Sequence, residues 1–155
     1  MKEPKHNFLD TCLFFNTNAF SRQLLKLAEA EFKPLKLSPA HASLLLMVFD
    51  TPGIGPKELS RLLHLTPSTI TRFIDSLAKK KLVLRKAKGK AVFIFPTQRS
   101  LNMQASIALA YKNMYFTYSQ ILGPKTAMDL SHRIAKANEQ VMEIQKNKVD
   151  NDTKI

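Results

Sequence analysis

The sequence predicts a mainly α-helical fold with one small β-hairpin. Two dipeptides, Ser38-Pro39 and Thr66-Pro67, each place a hydroxyl residue before a proline, which is typical of helix starts. After the second dipeptide and before the C-terminal helices, the spacing of apolar residues changes from about 3.6 residues, as in a helix, to two, as in the strands of a hairpin. The chain has 155 residues, of which 45% are hydrophobic, and this predicts one domain with a real core.

The N-terminal segment predicts a single helix from Phe8 to Phe32. Its apolar residues cover more than one face, so we expect the helix to be buried on several sides, by its own domain and by a partner chain. The segment Pro34-Leu35-Lys36 ends it.

The next three predicted helices form a helix-turn-helix pattern. The first begins at Ser38-Pro39 and places the apolar run 44–49 in the core, and a short second helix begins near Pro56. After a turn at His64-Leu65, the third helix begins at Thr66-Pro67. Its inward stripe follows the spacing i, i+3, i+4, i+7 and consists of Ile70, Phe73, Ile74 and Leu77. A short helix, a tight turn and a second capped helix make this pattern.

A β-hairpin is predicted directly after the helix-turn-helix. The segments 82–86 and 91–95 alternate with a period of two, and Lys88-Gly89 is expected to form the turn between them. Such a hairpin is a wing, and its tip is almost entirely lysine. The sequence therefore predicts a winged helix-turn-helix.

The C-terminal part predicts two long helices separated by Gly123-Pro124. The last helix has apolar residues at alternating steps of three and four: Ala127, Leu130, Ile134, Ala137, Val141 and Ile144. An intramolecular bundle would explain this seam, but we favour a homodimer interface, because so small a chain offers these helices no sheet or large domain. We therefore assign residues 1–36 to an N-terminal helix in the dimerisation region, 37–99 to the winged helix-turn-helix, 100–147 to the C-terminal dimerisation helices and 148–155 to a disordered tail.

The positive charge of the chain is concentrated in one segment. The net charge is +12, and residues 53–100 hold eleven Lys or Arg residues against Glu58 and Asp75, so nine of the twelve net charges lie there. A charge run can be a solvated face. So local an excess favours a phosphate polyanion as partner, because bound cations displace the counterions of the phosphates. We expect the partner to be double-stranded DNA.

The order of these elements resembles the MarR family of bacterial regulators over residues 9 to 144. The most specific stretch is Lys57–Leu77, where the family frequently has Glu-Leu-Ala, then Leu, Ser/Thr-x-Thr, Arg and Leu. The resemblance implies a homodimeric transcription regulator, usually a repressor, with recognition helices in successive major grooves and wings in the flanking minor grooves. It also implies that a ligand or an oxidant modulates binding. Two features depart from the family: the wing lacks its Asp-x-Arg pair, and Lys81 stands where Gly often precedes Leu-Val.

The expected DNA-binding residues lie on the predicted recognition helix and the wing. Arg72 suits a guanine edge through its forked donors, and the short hydroxyls suit bases or phosphates. Arg72 could instead pair with Asp75 or Asp50, and we expect Asp75 to orient Arg72 rather than to touch DNA. The wing lysines would add affinity and salt dependence. The full set is Ser68, Thr69, Thr71, Arg72, Lys79, Lys86, Lys88 and Lys90.

A ligand pocket is expected between the dimer helices and the winged domain, for a small apolar or aromatic molecule. Six apolar or aromatic residues are candidates for its lining, and plain core positions are an equally good interpretation of each one. They are Phe14, Phe15, Phe20, Met47, Tyr111 and Tyr115.

Cys12, the one cysteine, supports an alternative function as a thiol redox sensor. Some MarR relatives sense peroxide through a first-helix cysteine, and Leu9-Asp10 with Ser21-Arg22 resembles that helix. Counted from these anchors, the sensor position falls on Phe14, which is about 200° around the helix from Cys12. We therefore expect Cys12 to be a small buried apolar group.

Other function classes find little support. The four histidines lack metal-ligand spacing, and neither a Gly-rich phosphate loop nor a Ser/His/Asp arrangement is present, so we expect no enzyme, no metal and no cofactor. A lone cysteine and the absence of a long apolar run predict a cytoplasmic protein without a membrane partner. A non-sequence-specific nucleic-acid-binding protein stays open as a further alternative, because the wing is rich in lysine alone.

Overall fold

The computed structural model describes residues 7–152 and the side chains of residues 9–145. Within this range the mainly helical fold with one hairpin is confirmed. The chain divides into two compact units between Met114 and Tyr115. The elements are α1 (Asn7–Thr11), α2 (Leu13–Phe32), a 3₁₀ turn (Lys33–Leu35), α3 (Pro39–Asp50), α4 (Pro56–Leu63), α5 (Pro67–Lys79), β1 (Val83–Lys88), β2 (Ala91–Pro96), α6 (Gln98–Leu101), α7 (Gln104–Leu122) and α8 (Pro124–Asp152).

The prediction of one uninterrupted N-terminal helix is wrong, because the backbone leaves helical geometry at Cys12. Its φ and ψ are −78° and 106°, and its Sγ accepts a hydrogen bond from the Phe15 backbone N–H at 3.5 Å. The Asn16 side chain donates to the carbonyl oxygens of Leu9 and Asp10, at 3.0 and 3.2 Å. Cys12 is therefore the N-cap of α2, and the Asn16 amide provides donors for carbonyls that a continuous helix would have paired.

The Ser-Pro and Thr-Pro dipeptides both begin helices as predicted. Ser38 Oγ accepts from the His41 N–H at 3.2 Å to begin α3, and Thr66 Oγ1 accepts from the Thr69 N–H at 3.3 Å to begin α5. Between them, α4 ends at His64, which has a left-handed φ of 52°. The inward stripe of α5 is confirmed, since three of its side chains are buried and Phe73 is half-buried against the same core.

The hairpin is antiparallel and pairs Val83 with Pro96 through Lys88 with Ala91. Its two-residue turn is Gly89-Lys90, one residue later than predicted, and Gly89 has a φ of 61°. A glycine with positive φ at the first turn position suits the twist of the two strands. The segment before α4 also pairs with β2, because the Gly53 N–H donates to the Ile94 carbonyl at 2.8 Å and the Ile94 N–H donates to the Ile54 carbonyl at 3.1 Å.

A capping box and a hydrogen bond to the end of α5 follow the hairpin before the long helix α7 begins. Thr97 and Ser100 form a capping box at α6, in which each side chain accepts from the backbone N–H of the other. The Thr97 hydroxyl also lies 2.8 Å from the Lys81 carbonyl, to which it donates. This box ties the start of α6 to the segment that follows α5.

The second unit contains the C-terminal part of α7 and the helix α8. Ala127 and Ser119 are buried in it, whereas most apolar residues of the predicted α8 seam are exposed. The α8 backbone stays helical to Asp152, where a disordered tail was expected from residue 148, and no Gly or Pro follows Pro124 to end the helix. Residues 153–155 lie outside the described range. Within residues 7–152, no helix has both the length and the apolar character needed to cross a membrane.

Candidate nucleic-acid interface

The outward face of α5 presents hydroxyls and one guanidinium to solvent. Ser68, Thr71 and Arg72 are exposed, and Thr69 is half-buried. Arg72 Nη2 donates to Thr69 Oγ1 at 3.4 Å, which uses one of five guanidinium N–H donors. The Thr71 hydroxyl donates to the Pro67 carbonyl at 3.0 Å. The arrangement orients Arg72 along the helix and leaves most of its donors free for an acceptor outside the chain.

The expected pairing of Asp75 with Arg72 is wrong. Asp75 instead forms a hydrogen-bonded ion pair with Arg85 on β1. Arg85 lies on the strand that follows α5, so its side chain returns to the recognition helix across the start of the wing. The pair joins α5 to the wing, and the Arg72 guanidinium bonds Thr69 instead.

Both acidic residues of the basic segment 53–100 are neutralised by local pairing. Glu58 pairs with Arg61 three residues along α4, and the Arg61 guanidinium, which donates hydrogen bonds to the carboxylate, lowers the pKa of Glu58. Asp75 pairs with Arg85. The segment therefore keeps nine cations without an acidic partner among its residues: Lys57, Arg72, Lys79, Lys80, Lys81, Lys86, Lys88, Lys90 and Arg99.

The wing lysines occupy different environments. The Lys86 Nζ lies 4.8 Å from the centre of the Phe95 ring, in a cation–π arrangement that holds the chain along the hairpin. Lys88 and Lys90 flank Gly89 at the exposed tip. They are exposed point charges, which suit attraction to phosphate and not the reading of a base edge.

Lys79 does not lie with the other predicted residues of α5. It is the last residue of the helix, eleven positions after Ser68, which is about 16 Å along the helix axis. It lines a pocket with Lys80 and Lys81 at the C-terminal end of α5. No pattern in the sequence indicated this pocket, because its walls come from three separate segments.

The residues expected to line a ligand pocket lie in different environments. Phe14 is 79% exposed on α2, and Met47 packs against the core of the first unit. Tyr111 connects α7 to α3: its hydroxyl lies 2.6 Å from Ser43 Oγ, and its ring meets Phe32 edge-on at 4.9 Å. Phe15 is exposed and Phe20 half-buried, and Tyr115, in the second unit, contacts Tyr118. Tyr111 therefore has a structural role in this chain.

We expected Cys12 to be a small buried apolar group, whereas it is half-buried and acts as a helix cap. Its sulfur receives the Phe15 backbone N–H. Among the described residues, no group of three or more His, Cys, Asp or Glu side chains is placed to hold a metal ion.

The helix-turn-helix formed by α4 and α5, followed by the β1–β2 hairpin, places the chain in the class of winged helix-turn-helix folds. The family model of MarR matches residues 37–89, which span the helix-turn-helix and β1. The predicted resemblance to that family is thereby confirmed. No curated protein matches the chain significantly.

Solved structures share the fold over most of their length. The repressor CouR, bound to p-coumaroyl-CoA, has a TM-score of 0.79 at 18% identity, covering 88% of this chain and 98% of that one. CouR bound to a 23-mer DNA duplex has a TM-score of 0.75 at 20% identity, with 88% and 99% covered. The MepR–DNA complex of S. aureus gives 0.72 at 13%, with 88% and 99% covered. A MarR protein from Peptoclostridium difficile gives 0.72 at 22%, with 91% of both chains covered. These matches establish the fold.

Proposed function

We propose that this protein is a sequence-specific, DNA-binding transcription regulator that works as a homodimer in the cytoplasm, and that it is a ligand-responsive repressor and not an enzyme. The observation that supports this best is the outward face of α5. It offers an exposed guanidinium, held by Thr69, beside short hydroxyls, in a segment that keeps nine cations without an acidic partner among its residues. Forked donors recognise a guanine edge, while the surrounding cations attract the phosphates.

Double-stranded DNA is the partner that this geometry fits. The major groove admits one α-helix, and α5 has polar, exposed residues along its N-terminal half and a buried stripe behind them. The relatives CouR and MepR have been seen bound to DNA with this fold. These complexes support the same partner for this chain.

A homodimer is proposed because each unit exposes apolar side chains on its terminal helices. On α2, Leu13 and Phe14 are 78% and 79% exposed, and on α8 Val141 and Ile144 are 54% and 58% exposed. Large apolar side chains left this open are typical of surfaces that another protein chain covers. A second copy supplies such a chain and also matches two recognition helices to two half-sites.

The proposed function is tested by fluorescence anisotropy with the purified protein, its own upstream DNA and a scrambled duplex of equal length, across a salt series. We expect the upstream DNA to bind about 10³-fold or more tightly at physiological salt. Arg72→Ala should reduce this ratio by about 10- to 100-fold, because a bidentate contact discriminates bases by about 1–3 kcal/mol.

Arg61→Ala is the matched control, because it removes an arginine that Glu58 already neutralises on the neighbouring helix. It should leave the ratio of the two affinities unchanged. If Arg72→Ala and Arg61→Ala weaken both duplexes alike, α5 does not read bases through Arg72, and the proposal of sequence-specific recognition fails.

A second candidate function is non-sequence-specific nucleic-acid binding, which is favoured by the wing, whose only charged residues beyond Arg85 are lysines. It predicts that the two duplexes bind equally and that both affinities fall steeply with salt. The same salt series therefore separates the two candidates.

The alternative of a redox regulator is tested at Cys12. A sensor thiol must change the structure when it is oxidised, and Cys12 sits where α2 begins. We propose a ligand response in preference to a redox response, since CouR has been seen with p-coumaroyl-CoA bound in this fold. Alkylation of Cys12 should then leave the affinity for the upstream DNA unchanged, whereas a large loss would favour the redox regulator.

A further inference from the structure

The outward face of α5 carries one carboxylate among its polar residues. Ser68, Thr71, Arg72 and Asp75 follow one another at i, i+3, i+4 and i+7, so they share one face of the helix. This is the face that the proposed function assigns to DNA. A carboxylate there repels phosphates, and it lowers the affinity for DNA unless a cation neutralises it.

Arg85 is that cation, and the geometry of the strand explains why it reaches Asp75. Side chains alternate along β1, so Arg85 lies on the same face as the buried Val83 and opposite the buried Ile94 of β2. Lys86 lies on the other face of the strand. Arg85 is therefore directed from β1 towards α5, where it forms the hydrogen-bonded ion pair with Asp75.

The pair lies at the junction between the recognition helix and the wing. A duplex that takes α5 into its major groove and the wing into the adjoining minor groove would place one phosphate backbone between these two elements. Both side chains of the pair are partly exposed, Arg85 by 40% and Asp75 by 48%. Arg85 is thus an accessible cation at this junction, but a carboxylate of its own chain already occupies it.

The charges of the pair cancel whichever way the arginine turns. If Arg85 left Asp75 for a phosphate, the carboxylate would remain beside the same backbone without a cation. Its repulsion would then offset the new contact, because the two interactions have similar distances and opposite signs. The pair of Glu58 and Arg61 differs, since it stays within a single turn of α4.

We propose that Asp75 acts through Arg85 as a positioning residue that withholds this arginine from the DNA phosphates. It sets the strength and the salt dependence of binding to any duplex and leaves base preference to the N-terminal half of α5. This role rests on the proposed function, since it needs a duplex on this face of α5. It concerns phosphates alone, so it is tested on the scrambled duplex and fails separately from base reading.

The first experiment measures binding of Asp75→Asn to the scrambled duplex by anisotropy across a salt series. The released Arg85 should make the slope of log K against log salt steeper by about 0.9, the value for one more phosphate contact. With no gain at about 1 M salt, this slope corresponds to binding about eightfold tighter at about 0.1 M and about threefold tighter at about 0.3 M. The upstream duplex should gain by the same factor, because phosphate contacts carry no sequence information.

The double variant Asp75→Asn/Arg85→Ala shows whether the gain acts through Arg85. It removes both charges of the pair, so its affinity for the scrambled duplex should stay within about twofold of the unsubstituted protein, with the same salt slope. Both variants should keep their Tm within about 4 °C, because an ion pair this exposed contributes little to stability.

Asp129→Asn is the matched control, because it makes the same change of charge at an exposed residue of α8. Asp129 forms no ion pair within the part of the chain that the structure describes, so its substitution releases no cation. The salt slope should stay that of the unsubstituted protein, since the slope counts the cations that reach phosphates.

Three results would overturn the proposal. Weaker binding of Asp75→Asn to both duplexes would mean that the pair holds the wing in place for DNA. A double variant that binds about eightfold more weakly at about 0.1 M salt, with a shallower slope, would mean that Arg85 already contacts a phosphate in spite of Asp75. An equal gain in Asp129→Asn would assign the effect to net charge alone.

Discussion

Tyr111→Phe should destabilise the protein by removing one half-buried hydroxyl. The Tyr111 hydroxyl lies 2.6 Å from Ser43 Oγ and donates to the Pro39 carbonyl at 3.2 Å, and burial raises the pKa of this phenol. The ring itself packs edge-on against Phe32, and the phenylalanine ring would preserve that contact. The substitution therefore measures the contribution of the hydroxyl alone to stability.

The expected cost follows from the hydrogen bonds that remain. In the variant, the one O–H of Ser43 can donate to the Pro39 carbonyl, which lies 3.1 Å from Ser43 Oγ, so neither partner is left without a hydrogen bond. The loss is then that of one net hydrogen bond, about 1 kcal/mol, and not the larger penalty of a buried orphan group. For a chain of this size, 1 kcal/mol corresponds to a Tm lower by about 2–4 °C.

Thermal and urea unfolding, followed by circular dichroism, measure this difference. Tyr115→Phe is the control, since Tyr115 is 46% exposed and the described residues offer its hydroxyl no hydrogen bond. Its stability should stay within about 0.5 kcal/mol of the unsubstituted protein. An unchanged or higher Tm for Tyr111→Phe would refute the structural role of the hydroxyl and restore Tyr111 as a candidate ligand contact.

Three further predictions concern stability. Gly53→Ala should cost about 1–3 kcal/mol in urea unfolding, because φ is 91° and a Cβ would lie 3.1 Å from the Phe95 Cζ. Thr97→Val should cost about 1–2 kcal/mol by the same measurement, since it removes the capping hydroxyl of α6 and the bond to the Lys81 carbonyl. His41 has its pKa lowered below 6.5 by burial and by the nearby Lys80 charge. As the pH falls, the unfolded chain therefore binds a proton on His41 before the folded chain does, and this lowers the free energy of unfolding. The loss is absent well above pH 6.5 and grows as the pH falls towards the folded pKa. His41→Gln should flatten that part of the pH–stability curve.

Each of these predictions has a contrary outcome. A Gly53→Ala variant as stable as the unsubstituted protein would mean that Phe95 and the backbone adapt without cost. A Thr97→Val variant with unchanged stability would show that the Ser100 half of the box is sufficient. A pH–stability curve with the same slope in His41→Gln would assign the pH dependence to other groups.

Local sequence signals predicted the helix starts well, because a cap is formed by residues that are neighbours in the chain. Ser38 and Thr66 accept the backbone N–H three residues ahead, and this spacing is visible in the sequence. The break at Cys12 was missed, because cysteine is not a usual N-cap residue and the supporting Asn16 amide acts across the break.

Contacts between distant segments were not predictable in the same way. Asp75 was expected to pair with Arg72, its neighbour on the helix, yet it pairs with Arg85, which lies ten residues away on a strand. The choice depends on how the wing folds back towards α5, and a single sequence does not contain that geometry. The pocket was missed for the same reason, since a lysine run indicates charge but not which segments enclose it.

The exposed apolar side chains of α2 and α8 have a consequence for how much active protein a cell would contain. If a second copy covers them, folding and assembly are linked by mass action, and stability rises with the concentration of the chain. Where most of the chain is monomeric, the dimer concentration scales with the square of the chain concentration, so halving the chain would lower the dimer about fourfold.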